Sequence, residues 1–274
     1  VIPPPPFQRP TLNDQKPQRP APNDQNFCAV LPVYNHERTI AVVVEHLRGA
    51  ELAVFLVDDG SSAACAEELD RLGALPGVTL LRHATNRGKG AAVCLGLRAA
   101  TEAGFTHALQ VDADCQHALT DVPRFVAEAT KFPEAVICGQ PVFDVSIPAA
   151  RFYGRYLTHA LVWVQTLSLE IRDAMCGFRI YPLAPMTGLL DRLGPRMEFD
   201  MEVLVRLHWR GVRTRWLKTP VIYPVNGVSH FRMLRDNVLI TRMHLRLLAG
   251  MVLRLPWLLA RNFTRRLRPA YEHA

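Results

Sequence analysis

Along the first 111 residues, short unbroken apolar runs alternate with polar clusters and with stretches of helical period. Cys28–Val33 empties into Tyr34-Asn35-His36-Glu37 and a helix from about Arg38 to Arg48. Ala53–Val57 ends in Asp58-Asp59-Gly60-Ser61-Ser62 before a helix around Cys65–Leu72. Val78–Leu81 is followed by Asn86-Arg87-Gly88-Lys89-Gly90 and a helix over Ala91–Ala103, and Thr106–Val111 stops at Asp112-Ala113-Asp114. Runs that are apolar at every position suit strands buried on both faces, which are parallel strands covered by helices. Strand and helix alternating at this spacing predict βαβ units and a mainly parallel sheet. Sites in such sheets lie beyond the carboxyl ends of the strands, so the polar clusters should converge on one crevice.

The second half is less regular. It predicts a helix near Asp121–Thr130, a strand over Ala135–Gly139, and an apolar helical stretch over Ala149–Leu169 that carries Arg151 and Arg155 one turn apart. A polar loop from Asp173 to Arg179 leads into a short strand. Glu198 to Glu202 enters a helix that runs through Trp209 and is ended by Gly211, and Val212–Lys218 reads as a further strand. After a loop over Val225–Arg232, a helix runs from Met233 to about Leu255, is interrupted by Pro256 and resumes through Leu267. The expected division is a proline-rich disordered leader over 1–26, an α/β domain over 27–231 and a basic amphipathic helical tail over 232–274.

With 274 residues and 49% of them apolar, the chain can bury a full core, which excludes a disordered protein. The formal charge of +7 belongs to the tail, where nine arginines from Arg232 to Tyr271 face the single acid Asp236. No apolar run approaches the roughly 20 residues that span a bilayer. An Arg-rich helix bearing Trp and Leu suits an in-plane position at an anionic membrane surface, and predicts a cytoplasmic protein peripheral to the inner face of the membrane. Nucleic acid is not expected as a partner, since aromatic residues do not interleave with the arginines. The six cysteines are scattered singly, which suits buried thiols in a reducing compartment.

Asp112-x-Asp114 at a strand end is a place for a divalent metal. Mg²⁺ and Mn²⁺ take oxygen ligands, usually one or two carboxylates together with substrate phosphates, and Gln116 can add an amide oxygen. Gly88-Lys89-Gly90 does not have the spacing of a nucleoside-triphosphatase P-loop and reads on its own as a tight turn before a helix.

Taken in order, Pro32-Val-Tyr34-Asn35 with Glu37, Val57-Asp58-Asp59-Gly60-Ser61, Asn86-Arg-Gly88-Lys89-Gly90, Asp112-Ala-Asp114-Cys-Gln116-His117, Asp173-x-x-Cys-Gly177-Phe178-Arg179 and Phe199-x-Met-Glu202 resemble the motifs of family 2 glycosyltransferases of the GT-A fold. The likeness is strongest to the dolichyl- or polyprenyl-phosphate sugar synthase branch. It implies a Rossmann-like α/β fold and an inverting, metal-dependent transferase that moves a sugar from a UDP- or GDP-sugar to a lipid-linked or polyprenyl-phosphate acceptor. By resemblance, Pro32, Tyr34, Glu37, Asp58, Asp59, Asn86, Lys89 and Asp112 hold the nucleotide sugar. Asp112, Asp114 and Gln116 hold Mg²⁺ or Mn²⁺. Asp173, Glu202 and Asp200 are candidates for the catalytic carboxylate, the first two ranked ahead and Asp200 taken as a solvent-facing acid; the acceptor's own phosphate oxygen is the other candidate nucleophile. Arg179, with Arg151 and Arg155, is expected to receive an acceptor phosphate. Three positions depart from the pattern: Cys115 stands where glycine is usual, Cys176 where serine is common, and His230 where lysine is common. His230 is thereby open as a third metal ligand or a diphosphate contact. A sugar-phosphate nucleotidyltransferase and a non-catalytic membrane scaffold of the same fold are the alternatives.

Overall fold

A computed structural model describes residues 25–143, 149–221 and 232–267. Seven strands form one sheet: β1 (Phe27–Val33), β2 (Ala53–Asp58), β3 (Val78–Arg82), β4 (His107–Gln110), β5 (Val136–Phe143), β6 (Arg179–Pro182) and β7 (Thr214–Val221), in the spatial order β3-β2-β1-β4-β6-β5-β7. The pairings β1 with β2, β1 with β4, β2 with β3 and β5 with β7 are parallel, whereas β6 runs antiparallel to both β4 and β5. The mainly parallel sheet is as expected. The antiparallel β6 wedged beside β4 is not signalled by the chain's alternation.

Successive side chains of a strand point to opposite faces, and the core divides accordingly. Cys28 and Val30 of β1 pack with Val93 and Leu97 of α3 (Lys89–Glu102) and Leu204 of α6 (Phe199–Trp209) on one side. Ala29, Leu31 and Val33 pack with Val43 and Leu47 of α1 (Ile40–Gly49), Leu69 of α2 (Ala63–Gly73) and Phe125 of α4 (Val122–Lys131) on the other. Helix α3 lies close on β1 because residue 96 is glycine: a Cβ there would sit 2.4 Å from the Val30 side chain. That closeness brings Lys89, the first residue of α3, over the end of β4.

Helix α5 (Ala149–Thr166) and the 35-residue α7 (Met233–Leu267) pack on this body. The expected break at Pro256 appears as a bend within a continuous helix. A straight helix would separate residues 244 and 262 by about 27 Å. Yet His244 meets the Gln165 amide at 2.9 Å, and Asn262 Nδ2 donates to the carbonyl of the next residue, Thr166, at 3.0 Å. Both contacts are possible only if the axis turns, and proline, with no N–H for the preceding turn, is where a helix turns. Met243, Leu247 and Leu258 are buried, while Leu234, Leu245, Leu253 and Phe263 stand exposed on the outer face. No described helix is long and apolar enough to cross a membrane.

Candidate active site

At the carboxyl end of β4 the chain leaves the sheet as Asp112-Ala113-Asp114, and the start of α3 lays Lys89 across it. Lys89 Nζ lies 2.8 Å from Asp112 Oδ1 and 2.8 Å from Asp200 Oδ2, joining β4, α3 and the first turn of α6 through one ammonium. Burial alone would lower the pKa of Lys89, but the two carboxylates outweigh it and hold the group well above its usual range. Burial likewise pushes the Asp112 carboxyl up, and Lys89 together with His117 outweighs it and takes Asp112 well below the ordinary carboxylate range. Asp200 is buried, which corrects the expectation of a solvent-facing acid. The cation it faces comes from 111 residues away.

The Asp173–Arg179 loop roofs this pair. A Cβ at Gly177 would lie 2.7 Å from Asp112 Oδ2 and 2.8 Å from Lys89 Nζ, so any side chain there would have to push the ion pair aside. Gly177→Ala should displace the pair at a cost of about 1–3 kcal/mol. The Tm is expected to fall with the circular dichroism spectrum unchanged. An unchanged Tm in that variant would mean the crevice is roomier than the structure shows.

Asp114 is partly buried; burial and the neighbouring Asp112 raise its pKa. Its Oδ1 accepts the Gln116 N–H at 3.1 Å. Asp112 and Asp200 thus share one ammonium, with Asp114 two residues beyond Asp112. Among the described residues no three His, Cys, Asp or Glu side chains form a ready-made metal cluster. The donor set nevertheless fits a hard dication that completes its shell with substrate phosphates, because the two oxygens on offer are carboxylates held close enough to repel. His230 lies outside the described residues. Cys115, where glycine is usual, adopts φ 57°, the left-handed region that glycine occupies without strain.

The two carboxylates at the end of β2, Asp58 and Asp59, are buried and internally held. Asp58 accepts the Ser61 N–H at 2.9 Å and Arg82 Nε at 2.7 Å. Asp59 accepts the N–H groups of Arg87 and Gly88 at 2.9 and 2.7 Å and faces His83 Nδ1 at 2.7 Å. Gly88 and Gly90 therefore serve packing: a Cβ on either would strike the Gly194–Arg196 segment, whose Pro195 carbonyl accepts the Ala91 N–H. Pro32 is buried at the end of β1, Tyr34 and Asn86 are partly exposed, and Glu37 is exposed. Asn86 Oδ1 accepts from Arg196 at 3.4 Å.

The model of glycosyl transferase family 2 matches residues 28–181, from β1 into β6. The chain belongs to glycosyl transferase family 2. It is 30% identical over 201 residues to the UDP-N-acetylglucosamine–dolichyl-phosphate N-acetylglucosaminyltransferase of Methanococcus voltae, covering 66% of this chain and 80% of that one. It is 27% identical over 162 residues to the undecaprenyl-phosphate mannosyltransferase of Micrococcus luteus, covering 56% and 64%. Among solved structures it resembles the glucosyl-3-phosphoglycerate synthase of Mycobacterium tuberculosis in complex with Mn²⁺ and UDP-glucose, with a TM-score of 0.62 and 15% identity over 83% of this chain and 79% of that one. At that identity the likeness speaks for the fold.

Several side chains of this glycosyltransferase sit differently from expectation. Glu202, ranked as a base, is fully buried in α6 and saturated. Arg206 Nε donates to it at 2.8 Å, Arg246 Nη2 from α7 bonds both its oxygens at 2.9 Å, and the Gly194 N–H donates at 2.8 Å. Arg179, assigned to an acceptor phosphate, is also fully buried, and its two terminal nitrogens donate to the Asp200 carbonyl (2.6 Å), the Ala174 carbonyl (2.9 Å) and the Tyr181 hydroxyl (3.3 Å). Asp173 is held by the Met175 and Cys176 N–H groups and by Arg155 Nε at 2.5 Å. Arg155 is thus an ion-pair partner as well as a helix charge. The Arg151 side chain lies outside the described residues. His117, a motif residue given no role, sits with Nε2 3.8 Å from Asp112 and stacks on Phe178.

Proposed function

We propose that this glycosyltransferase moves a sugar from a UDP- or GDP-sugar to a polyprenyl- or dolichyl-phosphate, or to another lipid-linked phosphate, at an anionic membrane surface, inverting the anomeric centre. The observation that carries it is the meeting of Lys89, Asp112 and Asp200 under Gly177, with Asp114 alongside. An ammonium beside paired carboxylates offers a nucleoside diphosphate both a direct cationic contact and a place for Mg²⁺ or Mn²⁺. When bound, the dication neutralises charge on the departing diphosphate as a Lewis acid. Asp112 and Asp114, with Gln116, would hold it, and Pro32, Tyr34, Glu37, Asp58, Asp59 and Asn86 are assigned to the nucleoside.

None of the three candidate carboxylates is poised to take a proton: Glu202 is saturated by two arginines, Asp173 by Arg155 and two amides, and Asp200 by Lys89 and Gln110. This favours the acceptor's own phosphate oxygen as nucleophile, since it is ionised already and needs no base. Arg155 is the guanidinium assigned to that phosphate. It pairs with Asp173 of the loop over the crevice, and Tyr156 and Leu157 beside it are exposed, as a lipid-bearing substrate requires. The outer face of α7, with Leu234, Leu253 and Phe263 exposed among arginines, is assigned to the membrane.

Calorimetry with UDP and GDP, each with and without Mn²⁺, tests the reading. One nucleotide should bind in a metal-dependent manner and be lost in Asp114→Ala. Binding of neither would reject it. Flotation with vesicles of phosphatidylglycerol, against vesicles of phosphatidylcholine, tests the membrane assignment, with retention expected on the first alone.

A further inference from the structure

Under the crevice runs a line of buried polar side chains that the proposed reaction does not use. Gln110 closes β4 and Tyr181 stands on β6, where Ala108 pairs with Tyr181 and Gln110 with Arg179. Both Gln110 and Tyr181 are fully buried. A glutamine in the middle of a sheet is costly unless both ends of its amide are satisfied, by about 1–3 kcal/mol for each unmet group. Here both are. Tyr181 donates its hydroxyl hydrogen to Gln110 Oε1 at 3.1 Å, and Gln110 Nε2 donates to Asp200 Oδ1 at 2.9 Å.

The direction of this line is dictated by its ends. Arg179 has only donors, so the Tyr181 oxygen must accept from Arg179 Nη1 and turn its own hydrogen onward to Gln110. The glutamine carbonyl is thereby committed to tyrosine, and its NH₂ must face Asp200, which when ionised only accepts. Arg179 Nη1 also holds the main-chain carbonyl of Asp200 at 2.6 Å. Asp200 is fixed at its backbone and at one carboxylate oxygen, and the other oxygen is presented to Lys89 at 2.8 Å.

We propose that Gln110 and Tyr181 are positioning residues: the relay from Arg179 through Tyr181 and Gln110 to Asp200 holds the Lys89 ammonium where the nucleoside diphosphate is bound. The inference rests on the reading of Lys89 as a diphosphate contact. It explains why an arginine and a tyrosine occupy the buried face of the short strand beside β4, where apolar side chains would be cheaper.

The test is a double-mutant cycle on nucleotide affinity. Tyr181→Phe removes a single oxygen and keeps the ring, and Gln110→Met keeps the volume and removes both hydrogen-bonding ends. Each should weaken metal-dependent UDP or GDP binding, Gln110→Met by about tenfold, the loss expected for one hydrogen bond to a charged group. In a Lys89→Met background neither should have a further effect, since contributions made through one residue are not additive. An equal effect in both backgrounds, or unchanged affinity with only a lowered Tm, would show a role confined to folding and overturn the proposal.

A second readout does not depend on nucleotide. Lys89 is one of four lysines in the chain, with Lys16, Lys131 and Lys218, so its ammonium signal in a ¹⁵N-lysine NMR spectrum can be assigned by replacing the other three. A slowly exchanging Lys89 signal is expected in the wild type, with loss in Gln110→Met and in Tyr181→Phe. If that loss is seen while neither nucleotide binds the wild type, the relay stands and the donor assignment fails. A Lys89 signal unchanged in both variants overturns the relay.

Discussion

Asp114→Asn is expected to abolish transfer while leaving a protein at least as stable as the wild type. Two physical terms point in opposite directions at this residue. For catalysis, Asp114 is one of the two carboxylates at the end of β4, and the metal-assisted neutralisation assigned to them contributes several kcal/mol to the transition state. Losing roughly 4 kcal/mol lowers kcat/KM by about three orders of magnitude. For folding, the same carboxylate is a liability, because burial and Asp112 raise its pKa above the ordinary carboxylate value. The sign follows from linkage: the native state binds this proton more tightly than the unfolded chain does, so ionisation at neutral pH works against the fold. The penalty is fully present above the raised folded pKa and disappears below the unfolded one. An amide in place of the acid removes it, so in chelator at pH 7 the variant's Tm should equal or exceed that of the wild type, and the advantage should vanish toward pH 3. A variant that melts markedly lower would show Asp114 to be a structural residue, and one that keeps its activity would remove the metal from the mechanism.

How far the sequence could anticipate this site depends on the distance each contact spans. The strands β1 to β4 were legible because parallel strands buried on both faces appear as unbroken apolar runs, and the helices between them keep their own period. Each run's polar exit marked the side on which the crevice opens. The four residues of β6 carry no such mark, since Arg179-Ile-Tyr-Pro182 is short and mixed. Its alternation does place Arg179 and Tyr181 on one face, and that was the available signal for a buried polar line. Lys89 and Asp112 could each be found from their motifs, but not their ion pair, which joins residues 23 apart. Glu202 was ranked as a base from its motif position; its neutralising partner Arg246 lies 44 residues away on α7, although Arg206 at i+4 was a visible hint of a helix-surface pair. A carboxylate's chemistry depends on which cation the fold brings to it, and a motif does not record the cation.

Lys89→Met tests that dependence most severely, and it is expected to destabilise the protein by about 1–3 kcal/mol at neutral pH, between the values for an exposed and a fully buried ion pair, because Lys89 and Asp112 are part-buried. Methionine fills much of the lysine's volume, so the loss reports charge rather than a cavity. Asp112 and Asp200 would be left facing each other beneath Gly177 with no cation between them. The pH dependence carries the diagnosis. In the wild type Lys89 holds the Asp112 pKa below the ordinary carboxylate value, so the pair's stabilisation is complete above the unfolded pKa and is lost as pH falls through the folded one. Without Lys89, burial pushes the Asp112 carboxyl up against the lowering by His117 alone: the variant loses the stabilisation that the ammonium gave ionised Asp112, and the loss shrinks as that carboxylate protonates. Urea unfolding of both proteins should therefore show a gap that is widest at pH 7 and narrows toward pH 4. A gap that is independent of pH would mean that Lys89 acts by packing alone, and the contact that unites β4, α3 and α6 would then not be an electrostatic one.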